Sequence, residues 1–303
     1  MKPFIPFVLA AFSLGACGNY SNEDLDFQLA LPEDGELEAK LPQALTLDTS
    51  SEYYKLTRQV VTTFNGWATA LVGLVDRVRS YSPTSRNGAE RVWGPFPDDK
   101  HPGWQIQVVM VRSTDPSVPA PGFVISYSIQ LRNAAQSGSA FFELMGGNYK
   151  SSGSARQGEG EMHLYVQRAR DAGYPADDFG DLKQLDLDYH TLKYPITVNM
   201  NITNVATAKT QQASYQYAEN ADGSGTLVFT LTADAVAGAP AATDVKFTSQ
   251  WLGSGAGRAD AYLVGATANT PVGTDCWGTD TIADYVSRWN GLGDSGFADR
   301  CVF

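Results

Sequence analysis

The sequence has only three cysteines among 303 residues and is short of basic residues. Lys and Arg number 22 against 33 Asp and Glu, so the formal net charge is −11 and the pI is about 4.7. Nucleic-acid-binding proteins need a basic surface to meet phosphates, and polybasic membrane contacts need one to meet anionic lipids. We therefore expect no nucleic-acid partner, and we interpret the acidity as a contribution to solubility.

The sequence also lacks the motifs of common enzyme classes. It has no Gly-x-Ser-x-Gly motif, no phosphate loop and no dinucleotide fingerprint. Gly293-Asp294-Ser295-Gly296 resembles the nucleophile motif of trypsin-like proteases. That family also needs a histidine between alanine and cysteine, and neither His101, His163 nor His190 has these neighbours. We therefore expect a non-enzymatic protein with no catalytic residue and no cofactor.

Two groups of polar residues are candidates for metal or proton chemistry. Residues 220–225 resemble the start of a calcium loop, but Leu231 stands where that loop has its bidentate carboxylate. The same residues suit a tight turn. Asp186, Asp188 and His190 alternate along one strand face, where they can ligate a metal or transfer protons. A solvated strand face has the same pattern, and we predict no metal site.

The first residues have the features of an export signal. Lys2 precedes an apolar run over residues 4–12, which is too short to cross a bilayer as a helix. The run is followed by Leu14-Gly15-Ala16-Cys17. This segment resembles the signal of bacterial lipoproteins, in which an apolar residue and two small residues precede a cysteine. The resemblance covers this segment only, and it implies a signal peptide over residues 1–16.

In that family the cysteine is acylated, with palmitate among the acyl groups, and becomes the first residue of the mature protein. The resemblance thus implies that Cys17 anchors the protein in the membrane of a Gram-negative cell envelope. Gly18 after the cysteine is similar to an outer-membrane address. Two acyl chains give the stable anchoring that one chain does not. Cys276 and Cys301 remain, and an oxidising compartment would join them in a disulfide.

Three segments follow from this interpretation. Residues 1–16 are the signal peptide. Residues 17–48 are acidic and poor in apolar residues, and we interpret them as a lipidated tether that lifts the folded part off the membrane. Residues 49–303 form a single β-rich domain whose C-terminal segment is closed by the disulfide. A domain of this length builds a core without metals or many disulfides.

A long amphipathic helix is predicted over residues 49–81. Its bulky side chains recur every three or four residues. They are Leu56, Val60, Phe64, Trp67, Leu71, Leu74 and Val78. Thr49 and Glu52 have the spacing of a capping box, and Pro83 ends the helix. Phe64, Trp67 and Leu71 are therefore the candidate lining of a core or a cavity. Gly66 and Gly73 indicate either a close backbone contact or a tolerant surface.

Downstream of Pro83 the sequence alternates with period two, which predicts about ten antiparallel strands. The clearest strand covers residues 123–132. Three Gly-x-Gly returns, at 158–160, 223–225 and 255–257, predict tight hairpin turns. Residues 282–289 have the spacing of a short amphipathic helix. The predicted fold is mainly β (α+β), with a long antiparallel twisted sheet or half-open barrel packed on one N-terminal helix, and a short C-terminal helix.

Two functions fit this plan. The first is a non-enzymatic, lipid-anchored envelope lipoprotein with a structural or interaction role, similar in outline to uncharacterised Gram-negative β-rich lipoproteins. Its partners would be the membrane and another envelope protein. The alternative is a periplasmic carrier that binds a hydrophobic ligand in a cavity between helix and sheet. Core-filling and cavity-lining residues are of the same types, so the sequence leaves both open.

Overall fold

The computed structural model describes residues 22–33, 35–43, 50–79, 81–115, 122–151, 158–205, 210–231, 244–266, 270–287 and 294–301. The α-helices in these ranges are α1 (Asn22–Leu29), α2 (Glu52–Arg79) and α3 (Val166–Asp171). None of these helices is both long and apolar enough to cross a membrane. The predicted long helix is therefore present as α2, which ends before Pro83 as expected.

Fifteen strands form one antiparallel sheet. They are β1 (Ser85–Asn87), β2 (Glu90–Pro97), β3 (Trp104–Ser113), β4 (Val124–Asn133), β5 (Phe142–Ser151), β6 (Gly158–Leu164), β7 (Leu182–His190), β8 (Ile196–Val205), β9 (Thr210–Glu219), β10 (Gly225–Leu231), β11 (Val245–Trp251), β12 (Gly257–Leu263), β13 (Gly273–Trp277), β14 (Ala283–Ser287) and β15 (Ser295–Gly296). Each strand is hydrogen-bonded to the next one in the chain, and β1 and β15 are the two edges. The prediction of a long antiparallel sheet is confirmed.

The described residues fall into two compact units. The first unit takes those within Met1–Leu37, Ala68–Leu192 and Ile202–Gln212. The second unit takes those within Glu38–Trp67, Lys193–Asn201 and Ala213–Phe303. Helix α2 and strands β8 and β9 each contribute residues to both units. The single β-rich domain expected from the sequence is thus divided into two units.

In the first unit, β4 has the burial pattern that its sequence predicts. Ile125, Tyr127, Ile129 and Leu131 are buried, and the residues between them are not. The register places Met110 of β3 opposite Tyr127, and Gly147 of β5 on its other side. One face of this part of the sheet is therefore a continuous apolar surface built from alternate residues of neighbouring strands.

Two of the three predicted Gly-x-Gly turns are present, since Gly223 and Gly255 adopt positive φ angles of 78° and 99°, as tight turns require. The predicted turn at 158–160 is wrong, because these residues belong to β6. The last glycine of each Gly-x-Gly segment lies near the start of a strand, beneath an aromatic ring of the next strand. The pairs are Gly160 with Tyr189, Gly225 with Trp251, and Gly257 with Trp277. A Cβ at Gly225 would lie 2.6 Å from Cζ2 of Trp251, so the ring requires glycine there.

The predicted C-terminal helix over residues 282–289 is wrong. Residues 283–287 form β14, in which Tyr285 pairs with Cys276 and Val286 pairs with Asp275 of β13. The only helical turn described after β14 is the 3-10 turn Ala298–Arg300. Spacing over a few apolar residues does not distinguish a short helix from a strand. Pairing with β13, which is buried along its whole length, favours the strand.

Candidate functional site

Helix α2 buries one face, and the predicted stripe lies close to it. Phe64 and Leu71 are 0% and 1% exposed, as expected for lining residues, whereas Trp67 is only half-buried at the margin of the face. The buried side chains of α2 are Tyr54, Thr57, Val60, Val61, Phe64, Ala68, Leu71, Val72 and Val75. The buried face therefore also includes the smaller residues Thr57 and Ala68, which the prediction left out because it considered bulky residues only.

In the second unit, aromatic side chains of the sheet fill the space beneath α2. The ring centroid of Phe64 is 6.2 Å from that of Tyr215 and 6.3 Å from that of Tyr217. Nearer the start of the helix, Tyr53 meets Phe247 edge-on at 5.1 Å, and Tyr54 meets Trp277 at 5.6 Å. Three of these contacts are edge-to-face and that of Phe64 with Tyr217 is tilted, geometries that are usual in a packed core. The part of α2 from Tyr53 to Phe64 therefore contacts the protein's own aromatic residues.

The first turn of α2 is held by a buried carboxylate of β13. Asp275, which is almost fully buried, accepts hydrogen bonds from the Ser51 hydroxyl at 2.9 Å and from the backbone N–H of Tyr53 at 3.0 Å. Ser51 in turn accepts the Tyr54 N–H at 3.2 Å, so Ser51 is the N-cap. A negative charge at this end is favoured by the helix dipole. The predicted cap, Thr49, lies outside the described residues.

Residues 38–43 are not part of a free tether, because they are bound along α2 in the second unit. The Asn65 side chain accepts the Ala39 N–H at 2.8 Å and donates to the Ala39 carbonyl at 3.0 Å. The Lys40 N–H donates to the Tyr217 hydroxyl at 2.9 Å, and the Tyr54 hydroxyl donates to the Pro42 carbonyl at 2.6 Å. A solvated tether needs no such partners. The interpretation of residues 17–48 as a tether is therefore wrong for this stretch.

The same interpretation is wrong for α1, which is fixed to the sheet of the first unit. We call the contacts of Asp24 and Asp26 with Arg86, Arg91 and Arg112 the arginine clamp. The Asp24 side chain is 0% exposed; Nε of Arg91 lies 2.7 Å from it, and Nε and Nη2 of Arg86 each lie 3.1 Å from its Oδ2. Nη1 of Arg112 lies 2.7 Å from Asp26. The buried Phe27 ring lies under the Arg91 guanidinium.

Asp186, Asp188 and His190 share the outer face of β7, as the sequence predicts. The register adds partners from β6 that sequence reasoning missed, because His163 lies opposite Asp186 and Glu161 lies opposite Asp188. Nδ1 of His163 is 2.7 Å from Asp186. Both side chains remain about one-third exposed, at 29% and 32%. The group is therefore a histidine–carboxylate pair that solvent reaches, within the first unit.

The row of side chains continues onto β5 and β4. Gly146 lies opposite His163, and the Glu143 carboxylate covers Gly146, since a Cβ there would be 2.7 Å from Cδ of Glu143. The Ser128 hydroxyl donates to Glu143 at 2.7 Å. We call Ser128, Glu143, Gly146, His163 and Asp186 the polar row. Its side chains hydrogen-bond to one another in two pairs, Ser128 with Glu143 and His163 with Asp186.

Tyr165 and Arg168 border the polar row. The Tyr165 ring stacks on His163, and the Arg168 guanidinium lies 3.8 Å above the Tyr165 ring. Burial raises the pKa of Tyr165, the nearby Glu143 carboxylate raises it further, and Arg168 opposes them. The described residues contain no group of three or more His, Cys, Asp or Glu side chains arranged to hold a metal ion.

A second histidine–carboxylate pair lies in the loop between β2 and β3. The Asp98 side chain is 0% exposed and accepts the Tyr174 hydroxyl at 2.7 Å, while Nδ1 of His101 lies 2.8 Å away. The Lys100 N–H also bonds to Asp98 at 3.1 Å. Burial and the hydrogen bond to Asp98 raise the pKa of Tyr174 far above its ordinary value. Because the carboxylate is bonded on both oxygens, this cluster fixes the loop.

The segment that resembles a protease motif contributes to a strand, and the segment that resembles a calcium loop forms a turn. Ser295 and Gly296 form β15 beside β14, and Asp294 accepts the Tyr285 hydroxyl at 3.0 Å. Residues 220–225 form the predicted tight turn between β9 and β10. In it, Asp222 accepts both the N–H and the hydroxyl of Ser224, at 2.9 and 2.6 Å, and these bonds lower the pKa of Asp222.

The structure describes two of the three cysteines. Cys276 of β13 and Cys301 form a disulfide-capable pair with their Cα atoms 5.4 Å apart, a distance that a disulfide spans. Cys17 lies outside the described residues, and its acylation stays a prediction.

Sequence reasoning missed α1, the arginine clamp and the His163 partner. A signal for α1 exists in its buried residues Asp24 and Phe27, which lie three positions apart, as on one helix face. The His163 pairing has no local signal, because it depends on the register between β6 and β7. In comparisons with known proteins, no family model, no curated protein and no solved structure matches this chain.

Proposed function

We propose that the protein is a lipid-anchored lipoprotein of the Gram-negative envelope, with a structural or interaction role and no catalytic one. The observation that carries the choice between a packed protein and a carrier is the contact of Phe64 with Tyr215 and Tyr217. A carrier of hydrophobic ligands needs an apolar cavity between helix and sheet. Here the protein's own aromatic side chains contact α2 from Tyr53 to Phe64.

Support for the non-catalytic part comes from the polar groups that the sequence singled out. Asp222 is bonded to Ser224, and Asp294 to Tyr285. These two contacts fix a turn and a strand end. An enzyme would instead need convergent polar groups directed at a substrate.

Acylation is tested by expressing the full chain with radiolabelled palmitate and fractionating the membranes. We expect Cys17→Ser to lose both the label and the membrane association, because Cys17 is the residue that the lipoprotein signal marks for acylation. The matched control is the double substitution Cys276→Ser and Cys301→Ser, which should keep the label. Equal labelling of Cys17→Ser and the unsubstituted protein would refute the anchor.

The choice between packing and carrying is tested by native mass spectrometry of the chain from residue 18, purified without detergent. If helix and sheet form a packed core without a ligand, the measured mass is that of the polypeptide alone. A stoichiometric adduct with the mass of a lipid would support the carrier instead. Phe64→Ala is the matched variant, since it should release such an adduct if Phe64 lines the ligand site.

A further inference from the structure

The chain is fixed to the first unit a few residues after the proposed lipid anchor. Seven residue-to-residue steps separate Cys17 from Asp24. Even fully extended, a chain of this length spans at most about 25 Å. The 31 residues from Gly18 to Asp48 would have allowed about 100 Å if all of them were free. The distance between anchor and folded protein is therefore set by the leash, which we define as residues 18–23.

The arginine clamp makes Asp24 a firm end point for that leash. Its carboxylate is fully buried and paired with both Arg86 and Arg91, and the Arg91 side chain is itself only 4% exposed. Pulling α1 away would remove the Asp24 carboxylate from the Arg91 guanidinium, which would keep its hydrogen bonds to the Gly88 and Glu90 carbonyls. Removing one partner of a buried ion pair is strongly unfavourable. The buried Phe27 would also lose its contact with Arg91. Lengthening the leash by unfolding α1 is therefore disfavoured.

Next to this end point, the surface of the first unit is suited to a bilayer interface. Leu25 of α1 lies between Asp24 and Asp26 in the sequence, and its side chain is 44% exposed. The partly exposed side chains of Arg86 and Arg112 pair with these two aspartates. An exposed leucine whose two neighbours in the helix are paired with guanidinium groups can enter the headgroup layer while the charges stay at the polar level. The pairing also reduces the repulsion that free aspartates would feel from anionic lipids.

We propose that this surface, Leu25 with Arg86 and Arg112, contacts the bilayer in which the acyl chains of Cys17 are inserted. The first unit is thus held against the membrane and is not lifted away from it. The inference rests on the proposed acylation of Cys17. The leash carries the argument, because a link this short makes the encounter between Leu25 and the headgroup layer effectively intramolecular.

The test uses the full-length acylated protein carrying Leu25→Cys, reconstituted in vesicles of phosphatidylethanolamine and phosphatidylglycerol. With Cys17 acylated and Cys276 and Cys301 paired, the new thiol is the one available for an environment-sensitive fluorophore. Nitroxide groups on the lipid headgroups should then quench the emission strongly. A residue with an exposed side chain tolerates such a substitution with little change in stability.

The matched variants insert the same 20-residue Gly/Ser segment at two positions, between residues 20 and 21 or between residues 237 and 238. The first insertion lengthens the leash, and we expect the effective concentration of the surface at the bilayer to fall about eightfold. The second insertion leaves the leash unchanged and should leave quenching unchanged. Quenching that survives both insertions also supports the contact and assigns it an affinity of its own.

Absence of quenching in the vesicle-bound protein with its native leash would overturn the proposal, and quenching only in the presence of an added envelope protein would do the same. The acyl mass and vesicle flotation are measured first. A protein that lacks acyl chains or does not float contradicts the proposed anchor. A protein that floats without quenching contradicts the membrane contact of Leu25 alone.

Discussion

Tyr127 and Tyr189 occupy equivalent places in the first unit and differ in one hydrogen bond. Each is buried, and each lies across a glycine of a neighbouring strand, Gly147 for Tyr127 and Gly160 for Tyr189. The Tyr127 hydroxyl donates to the Glu161 carbonyl at 2.9 Å. The Tyr189 hydroxyl has no hydrogen-bond partner among the described residues. A buried polar group without a partner destabilises the folded state.

We therefore expect Tyr189→Phe to raise the free energy of unfolding by about 1 kcal/mol, and Tyr127→Phe to lower it by about the same amount. Urea melts of both variants against the unsubstituted protein measure the two changes. The pair is matched, since both variants keep the ring over its glycine. A loss of stability in Tyr189→Phe equal to that in Tyr127→Phe would mean that the Tyr189 hydroxyl is bonded after all.

At this scale the sequence predicts which residues are buried better than it predicts their partners. Period two correctly placed Tyr127 and Leu131 on the buried face of β4. The same reasoning identified Gly160 as a turn residue only, although Tyr189 requires it. A ring over a glycine is a cross-strand contact, and the register that produces it depends on the whole sheet.

Substitutions in helix α2 distinguish most directly between a packed core and a ligand cavity. We expect Phe64→Ala to lower the free energy of unfolding by about 3–5 kcal/mol, because it removes a fully buried ring from contact with Tyr215 and Tyr217. Trp67→Ala is the matched control on the same helix. Trp67 is half-buried, and its truncation should cost about 1 kcal/mol, the usual effect of a substitution.

Denaturant melts of the two variants give both values. A small loss in Phe64→Ala, together with a lipid that the unsubstituted protein retains and the variant does not, would contradict the packed core and favour the carrier. If Trp67→Ala proved as damaging as Phe64→Ala, the buried face of α2 would have to be turned back toward the predicted stripe.

The two glycines inside α2 lie on an open surface. Both Gly66 and Gly73 are exposed, and a Cβ added at either would meet no atom within 4 Å. We expect each change to alanine to raise the free energy of unfolding by about 0.8–1.0 kcal/mol, since alanine restricts the unfolded chain more and favours the helix. The sequence left open a close backbone contact or a tolerant surface at these glycines, and the structure favours the tolerant surface.

Thermal or urea melts of Gly66→Ala, Gly73→Ala and the double variant test this expectation, and the two effects should add. Gly257→Ala is the contrasting control. Its Cβ would overlap the Trp277 ring, so this variant should be destabilised. Destabilisation by Gly66→Ala or Gly73→Ala would instead indicate that another molecule approaches the helix there.

The length of a helix decides how clearly the sequence predicts it. The 28-residue α2 has enough turns for its period to be clear. Helix α1 has only 8 residues, and its folding depends on Arg86, Arg91 and Arg112 from distant strands. The acidic residues that made residues 17–48 look like a tether include the two that bind these arginines. Strand β14 likewise depends on a distant part of the sheet, because it forms by pairing with β13.

For the molecule as a whole, the expectations about partners rest on composition and charge and stay predictions, and the arrangement of units was not foreseen. A net charge of −11 says nothing about where pairs such as Asp24 with Arg91 are buried. The division of the chain into two units also passes through α2, β8 and β9. No composition change marks such a boundary, because it lies within continuous elements.

Alkaline pH should destabilise the whole protein through its buried tyrosines. Burial raises the pKa of Tyr174, Tyr189 and Tyr217 far above the ordinary value of 10.0, and the carboxylates of Asp98 and Glu219 add to this for Tyr174 and Tyr217. The folded state therefore holds these protons more tightly than the unfolded state does. Their contribution to stability is complete below about pH 10 and is lost as the pH rises toward the folded-state pKa values.

Each of these tyrosines should lower the free energy of unfolding by about 1.4 kcal/mol per pH unit above pH 10. The three together then remove about 4 kcal/mol by pH 11, a large part of the stability of a typical domain. Urea melts at about pH 8 and pH 11, with the ultraviolet absorbance of tyrosinate as a second signal, measure this loss. Tyr189→Phe should reduce the loss at pH 11 by about 1.4 kcal/mol, because it removes one buried phenol. Ionisation of all tyrosines near pH 10 without a change in stability would contradict their burial.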